Sequence, residues 1–250
     1  MARRHAYALT LSLLASGCGA IRESSGRSAA SVAPRLPAPL SEVGRLEIGG
    51  AARCIATLFT PTAAVTAAHC LPPGMTETTP GDAVFALGDG SPPHRFPVDR
   101  AYAFGAPDGS GQGDAFNGDV AVIHLAQAVP AEVASPRRLG RVRAEAGSEV
   151  TFVGMDRSGA PPYDVRRVRS WWFDPALTER IMLPGDSGGP LIGGSPGDLG
   201  PIIGVGSGYA TSPCGAMTPD SMVFGDVTRF RADIETAVGA STTRFGVEAR

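Results

Sequence analysis

The sequence predicts an all-β fold with one helix near its C-terminus, and three observations carry that reading. Glycine and proline number 33 and 22 among 250 residues, the punctuation of a chain with many turns and few long helices. Between those breaks lie short runs of β-branched and aromatic residues, the pattern of strands. Apolar residues at helical spacing form a convincing face only from Thr228 to Val238. With 43% hydrophobic content the chain can bury a sizeable core, and a net charge of −2 leaves no electrostatic footprint for nucleic acid.

The N-terminus reads as an export signal. Arg3 and Arg4 supply a basic start, Ala6 to Ala15 an apolar run too short to span a bilayer, and small residues surround Cys18. Ala15-Ser16-Gly17-Cys18 resembles a bacterial lipobox with alanine where leucine is usual, which implies cleavage before a lipidated Cys18. Ordinary secretion with cleavage after Ala20 is the alternative. The expected organisation is a signal peptide over 1–18, a Ser/Ala/Pro/Arg-rich flexible tether over 19–40, and a folded domain over 41–240. An exported protein follows, either an envelope lipoprotein (outer membrane or periplasm) touching a membrane surface through Cys18 or a secreted chain. All 22 basic residues are arginine, which together with the Ala, Gly and Pro content suggests a GC-rich bacterial genome.

In the folded part, strands are expected over Gly44–Ile48, Arg53–Phe59, Ala63–Thr66, Ala83–Leu87, Pro97–Phe104 and Asp119–Leu125. A second set covers Ser148–Gly154, Arg166–Phe173, Pro190–Ile192, Ile202–Ser207 and Met222–Val227. The segment from Val129 to about Ala146 connects the sets. In the helix, Phe230, Ile234, Ala237 and Val238 share one face, and Gly239 is the expected stop.

The chemistry concentrates in Gly185-Asp186-Ser187-Gly188-Gly189-Pro190. This turn presents a serine hydroxyl beside backbone N–H groups that can converge on a substrate oxygen. A hydroxyl is a poor nucleophile at neutral pH, so it needs a base, and the base needs an orienting carboxylate. Thr66-Ala67-Ala68-His69-Cys70 offers the base, and Asp119, at the mouth of the apolar run Val120-Ala121-Val122-Ile123, offers the carboxylate. The pattern Gly185-x-Ser187-x-Gly189 also fits the nucleophile elbow of α/β-hydrolases, but those place their histidine after the serine. The histidines here are His5, His69, His94 and His124, all before Ser187. His94, in Ser91-Pro92-Pro93-His94, reads as a loop residue, and His124 as a packed strand residue.

These three segments resemble the trypsin/chymotrypsin-type serine proteases, from about Arg45 to about Val238. The resemblance implies two packed antiparallel six-stranded β-barrels, one over about 41–130 and the other over about 131–240, with the site between them. It implies a serine endopeptidase in which His69 is general base, Asp119 its orienting carboxylate and Ser187 the nucleophile, with the N–H groups of Gly185 and Ser187 as oxyanion hole. Peptide or protein is then the substrate, the chain is monomeric, and no cofactor or metal is required. The separation of Cys54 and Cys70 resembles the family's disulfide beside the histidine. Cys214 has no evident partner, because Leu183 stands where a second cysteine is common. Asp108 to Gly113 matches a calcium loop poorly.

Three departures from the family pattern bear on function. The substrate pocket is expected around Ile181, Gly206 and Met222, and Ile181 stands where trypsin-like members carry a carboxylate, so small or medium apolar side chains should be preferred. The resemblance aligns Gly204-Val205-Gly206 with a segment that usually reads Ser-Trp-Gly, so loss of that serine and tryptophan should open the cleft and weaken a contact to the triad region. The activation sequence whose amine pairs with the aspartate before the nucleophile is absent upstream of Cys54, since Ile48-Gly49-Gly50 lies too close. Asp186 must then be met by an arginine such as Arg166, Arg167 or Arg169, or the site stays immature. A catalytically silent, protease-like binding domain is therefore the alternative function.

Overall fold

A computed structural model describes residues 40–72, 82–88, 92–105, 116–155, 166–173, 182–211 and 217–244. The signal and tether with Cys18, the Asp108–Gly113 loop, Ile181 and Cys214 lie outside the described residues.

The first set of strands closes into a barrel. β1 (Val43–Ile48), β2 (Ala51–Thr60), β3 (Ala63–Thr66), β4 (Ala83–Leu87), β5 (His94–Ala103) and β7 (Ala121–Leu125) run in the order β1-β2-β3-β7-β5-β4 around it. Gly49 and Gly50, at φ +60° and +79°, form the hairpin between β1 and β2, a backbone conformation that residues with a Cβ rarely adopt. Ile48-Gly49-Gly50 is thus a turn within the barrel. Leu46, Leu58, Phe85, Ile123 and Leu125 fill the interior. His94 opens β5 and is not a loop residue, because it pairs with Leu87 of β4. His124 is buried on β7, with its Nδ1 2.9 Å from Asp99 Oδ1.

The second set forms, among the described residues, a six-stranded sheet of β6 (Phe116–Asn117), β8 (Glu149–Met155), β9 (Arg166–Trp172), β10 (Pro190–Gly193), β11 (Ile202–Thr211) and β12 (Met217–Asp226), in the order β6-β12-β11-β10-β8-β9. Strand β6 precedes Asp119 in sequence yet pairs with β12 in parallel, Phe224 beside Phe116 and Gly225 beside Asn117. Phe116, Phe152, Phe173, Leu191 and Phe224 make the core, with Phe152 and Phe224 edge to face at 5.9 Å. Leu40, Val43 and Ile55 from the first half join Val153, Met155 and Ile192 from the second in a shared apolar cluster.

Helix α1 (Val227–Arg244) follows β12 directly. Asp226 caps it, accepting the N–H groups of Thr228 and Arg229 at 3.0 and 3.1 Å. Ile234 and Val238 are buried and Phe230 packs beside them, the face expected from spacing. The helix does not stop at Gly239. Glycine costs a helix only about 1 kcal/mol relative to alanine, and no C-cap geometry ends the helix there.

Candidate active site

His69 sits in a single 3₁₀ turn (Ala68–Cys70) at the end of β3. Cys70 in the same turn is joined to Cys54 on β2 by a disulfide of sequence separation 16. The turn is therefore tethered covalently to the adjoining strand, which limits where the imidazole can go.

Asp119 lies at the entrance to β7 with no solvent exposure. Its Oδ1 accepts the backbone N–H of His69 at 2.9 Å, and its Oδ2 lies 2.6 Å from His69 Nδ1. The hydroxyl of Ser207 donates to Oδ2 at 2.6 Å, Asn117 Nδ2 donates to Ser207 Oγ at 2.9 Å, and Asn117 Oδ1 accepts the N–H of Asp119 at 3.0 Å. Burial alone would push the Asp119 carboxyl up. The hydrogen bonds from His69 and Ser207, with the adjacent imidazole charge, outweigh that penalty and hold it below the ordinary carboxylate value. An ionised Asp119 is therefore the form the site favours.

Neither Ser207 nor Asn117 was expected. The contact expected to be weakened by the missing serine at Gly204 is supplied by Ser207, three residues beyond it. The β11–β12 register shifts between Gly206 and Gly208, and the irregularity lies at Ser207. For Asn117 the sequence did hold a signal, an Asn two residues before an Asp, the spacing of a local side-chain to backbone turn.

Ser187 lies in a tight turn between Met182 and β10. Gly185 and Gly188 have φ of +90° and +78°. A Cβ on Gly188 would stand 2.1 Å from the Ile55 carbonyl oxygen and 2.3 Å from Thr66 Oγ1, so only glycine lets the turn approach the first barrel this closely. The Ser187 carbonyl accepts the N–H of Ile55 at 2.8 Å, and Gly188 N–H donates to Gly206 at 2.7 Å. Among the described residues no acceptor engages the N–H groups of Gly185 or Ser187, whereas those of Asp186, Gly188 and Gly189 are all bonded. Two donors of the turn are thus left for an incoming oxygen.

Asp186 is fully buried, against Gly154. Its carboxylate accepts the N–H groups of Met155 at 3.0 Å and Leu183 at 2.8 Å. The backbone therefore meets part of its need for partners. The side chains of Arg166, Arg167 and Arg169 fall outside those described.

A cleft of about 520 Å³ contains both His69 and Ser187 in its lining. A family model for trypsin matches residues 41–232. The chain belongs to the trypsin family. The fold is also similar to that of neuropsin, a serine protease expressed in the limbic system of mouse brain, at a TM-score of 0.58 and 18% identity, over 82% of this chain and 97% of that one. No curated protein matches the sequence.

Of the residues expected to line the trypsin-type substrate pocket, Gly206 and Met222 are described. A Cβ on Gly206 would stand 2.7 Å from Met182 Sδ, and Met182 N–H points to Met222 Sδ at 3.3 Å. Both methionines are buried, so Met182, which sequence reading passed over, occupies space beside Gly206. In this trypsin-family chain Cys54, His69 and Cys70 also place one nitrogen and two sulfurs close together, but both sulfurs are committed to the disulfide and cannot serve as thiolates for a metal.

Proposed function

We propose that this protein is a serine endopeptidase that cleaves through an acyl-enzyme. The carrying observation is the buried Asp119 holding His69 by both backbone and ring, with His69 and Ser187 in one cleft. With Nδ1–H directed at Asp119, Nε2 carries the lone pair and takes the Ser187 proton as Oγ attacks the peptide carbonyl. The negative charge that develops on the carbonyl oxygen is received by the N–H groups of Gly185 and Ser187. His69 returns the proton to the leaving amine, the C–N bond breaks, and Ser187 is left as an ester. Water, activated by the same imidazole, hydrolyses that ester and restores the serine. Met182 and Met222 support a preference for small or medium apolar residues before the scissile bond, since a cationic side chain there would lose its hydration without gaining a partner.

Treatment of the folded protein with a fluorophosphonate tests the mechanism. Labelling of the wild type, its loss in Ser187→Ala, and a fall in turnover of several orders of magnitude for Ser187→Ala and His69→Ala are expected. A well-folded wild type that neither labels nor turns over would leave the silent binding domain as the function. A peptide library cut mainly after Arg or Lys would contradict the apolar pocket.

A further inference from the structure

The cleft that meets Ser187 does not include Gly206 or Met222 in its lining, so it is a separate depression from the pocket expected to take the side chain before the scissile bond. Its lining joins the Cys54–Cys70 disulfide, Leu71 and Pro72 with Ile48 of β1 and Arg53 of β2. Apart from His69, Arg53 is the one ionisable side chain in that lining. It is exposed on β2, immediately before the disulfide. Among the described residues no carboxylate pairs with it. Glu47, which lies opposite Ala52 on β1, is held by Arg95 at 2.7 Å and by Arg45 at 3.7 Å. Arg53 is thus a cation with no carboxylate partner among the described residues, in the lining of the same cleft as the candidate nucleophile.

We propose that this trough receives the leaving-group half of the substrate, and that Arg53 selects an aspartate or glutamate within the first three residues after the scissile bond. The proposal rests on the endopeptidase reading and adds a substrate class to it. The apolar walls suit the methylene stem of an acidic side chain, and the guanidinium fork suits its carboxylate. Exposure limits the gain to a preference, so neutral residues are accepted and basic ones disfavoured.

The test uses paired peptides, identical up to the scissile bond and amidated at the C-terminus, that carry either Glu or Lys at the first, second or third position after it. Amidation ensures that a side chain and not a chain terminus supplies the carboxylate. The ratio of kcat/KM for Glu over Lys is measured within each preparation, which cancels differences in active fraction. Wild type should favour Glu by about two- to fivefold at one of the positions at low salt. The ratio should approach one at high salt and in Arg53→Gln, and invert in Arg53→Glu. A flat wild-type ratio, or one that Arg53→Glu does not move, would overturn the subsite. An acyl ester with a simple alcohol leaving group, which has no residue to place in the trough, separates the two readings. Ester turnover with a flat peptide ratio removes only the role of Arg53, whereas absence of ester turnover removes the hydrolase and the subsite together.

Discussion

The two halves of the molecule hold their candidate site residues by different means. On the His69 side, the wiring runs through side chains. A disulfide pins the turn, and Asp119 is gripped by Ser207 and Asn117 as well as by His69. On the Ser187 side it runs through backbone, with glycine conformations at 185 and 188 and main-chain bonds from Ile55 and to Gly206. A side-chain network can lose one member and keep its frame, so damage there should be graded. A backbone turn packed against a neighbouring barrel has no slack, because no rotamer can move to relieve a clash.

Gly188→Ala is the sharpest way to test that contrast. The alanine would have to hold φ near +78° and place its Cβ 2.1 Å from the Ile55 carbonyl. The conformation alone costs about 1–2 kcal/mol, and displacement of β2 or of the turn adds to it. A total loss of about 3 kcal/mol or more is expected in urea unfolding, accompanied by near-complete loss of fluorophosphonate labelling. Labelling at the wild-type rate would show that the turn adapts and that the contrast is wrong.

Removing the disulfide ranks next. Cys54→Ala with Cys70→Ala opens a loop of sequence separation 16, which corresponds to about 3 kcal/mol of chain entropy, an upper figure if the unfolded chain retains structure. This change leaves every hydrogen bond of Asp119 available. The double variant should therefore unfold at lower denaturant concentration yet keep most of its turnover under conditions where it is folded. If turnover disappears while the barrel remains intact, the disulfide positions His69 directly.

The division between what the sequence made legible and what it did not follows the same line. The barrel strands were readable because each is a local apolar run ended by Gly, Pro or Asp, and Ala63–Thr66 and Ala83–Leu87 match their expected bounds. His69, Asp119 and Ser187 were readable because each lies in a contiguous motif. Ser207 was missed because its position depends on a register shift in the pairing of β11 with β12, which no residue in Gly204-Val205-Gly206 announces. Strand β6 was missed for a related reason. Two residues are too few for a periodic pattern, and their partners lie 108 residues further on in β12. The helix face was legible from spacing, but not its end, since one exposed glycine does not outweigh the turns on either side.

The smallest expected effect belongs to Ser207→Ala, and it is the one that tests the side-chain network itself. The hydroxyl is one of the donors that keep Asp119 ionised at zero exposure, so its loss moves the carboxyl back up toward its ordinary range. The sign follows from linkage. A carboxyl depressed in the folded state contributes stability that is fully present above its unfolded value and is lost as pH falls through the folded one. In Ser207→Ala the depression is smaller, so the variant should be less stable by about 1.5–3 kcal/mol at neutral pH, the typical worth of one hydrogen bond to a charged group. The gap should narrow as pH falls below the ordinary carboxylate range, because the less depressed Asp119 of the variant protonates first. Because His69 still makes its two bonds to Asp119, turnover at neutral pH should fall modestly, by far less than in Gly188→Ala. Urea titrations of both proteins at neutral pH and at a series of acid pH values down to the lowest at which both still fold read the difference. A stability gap independent of pH would mean that Ser207 only fills space beside Asp119, and the network on this side would then be no more graded than the backbone turn it is compared with.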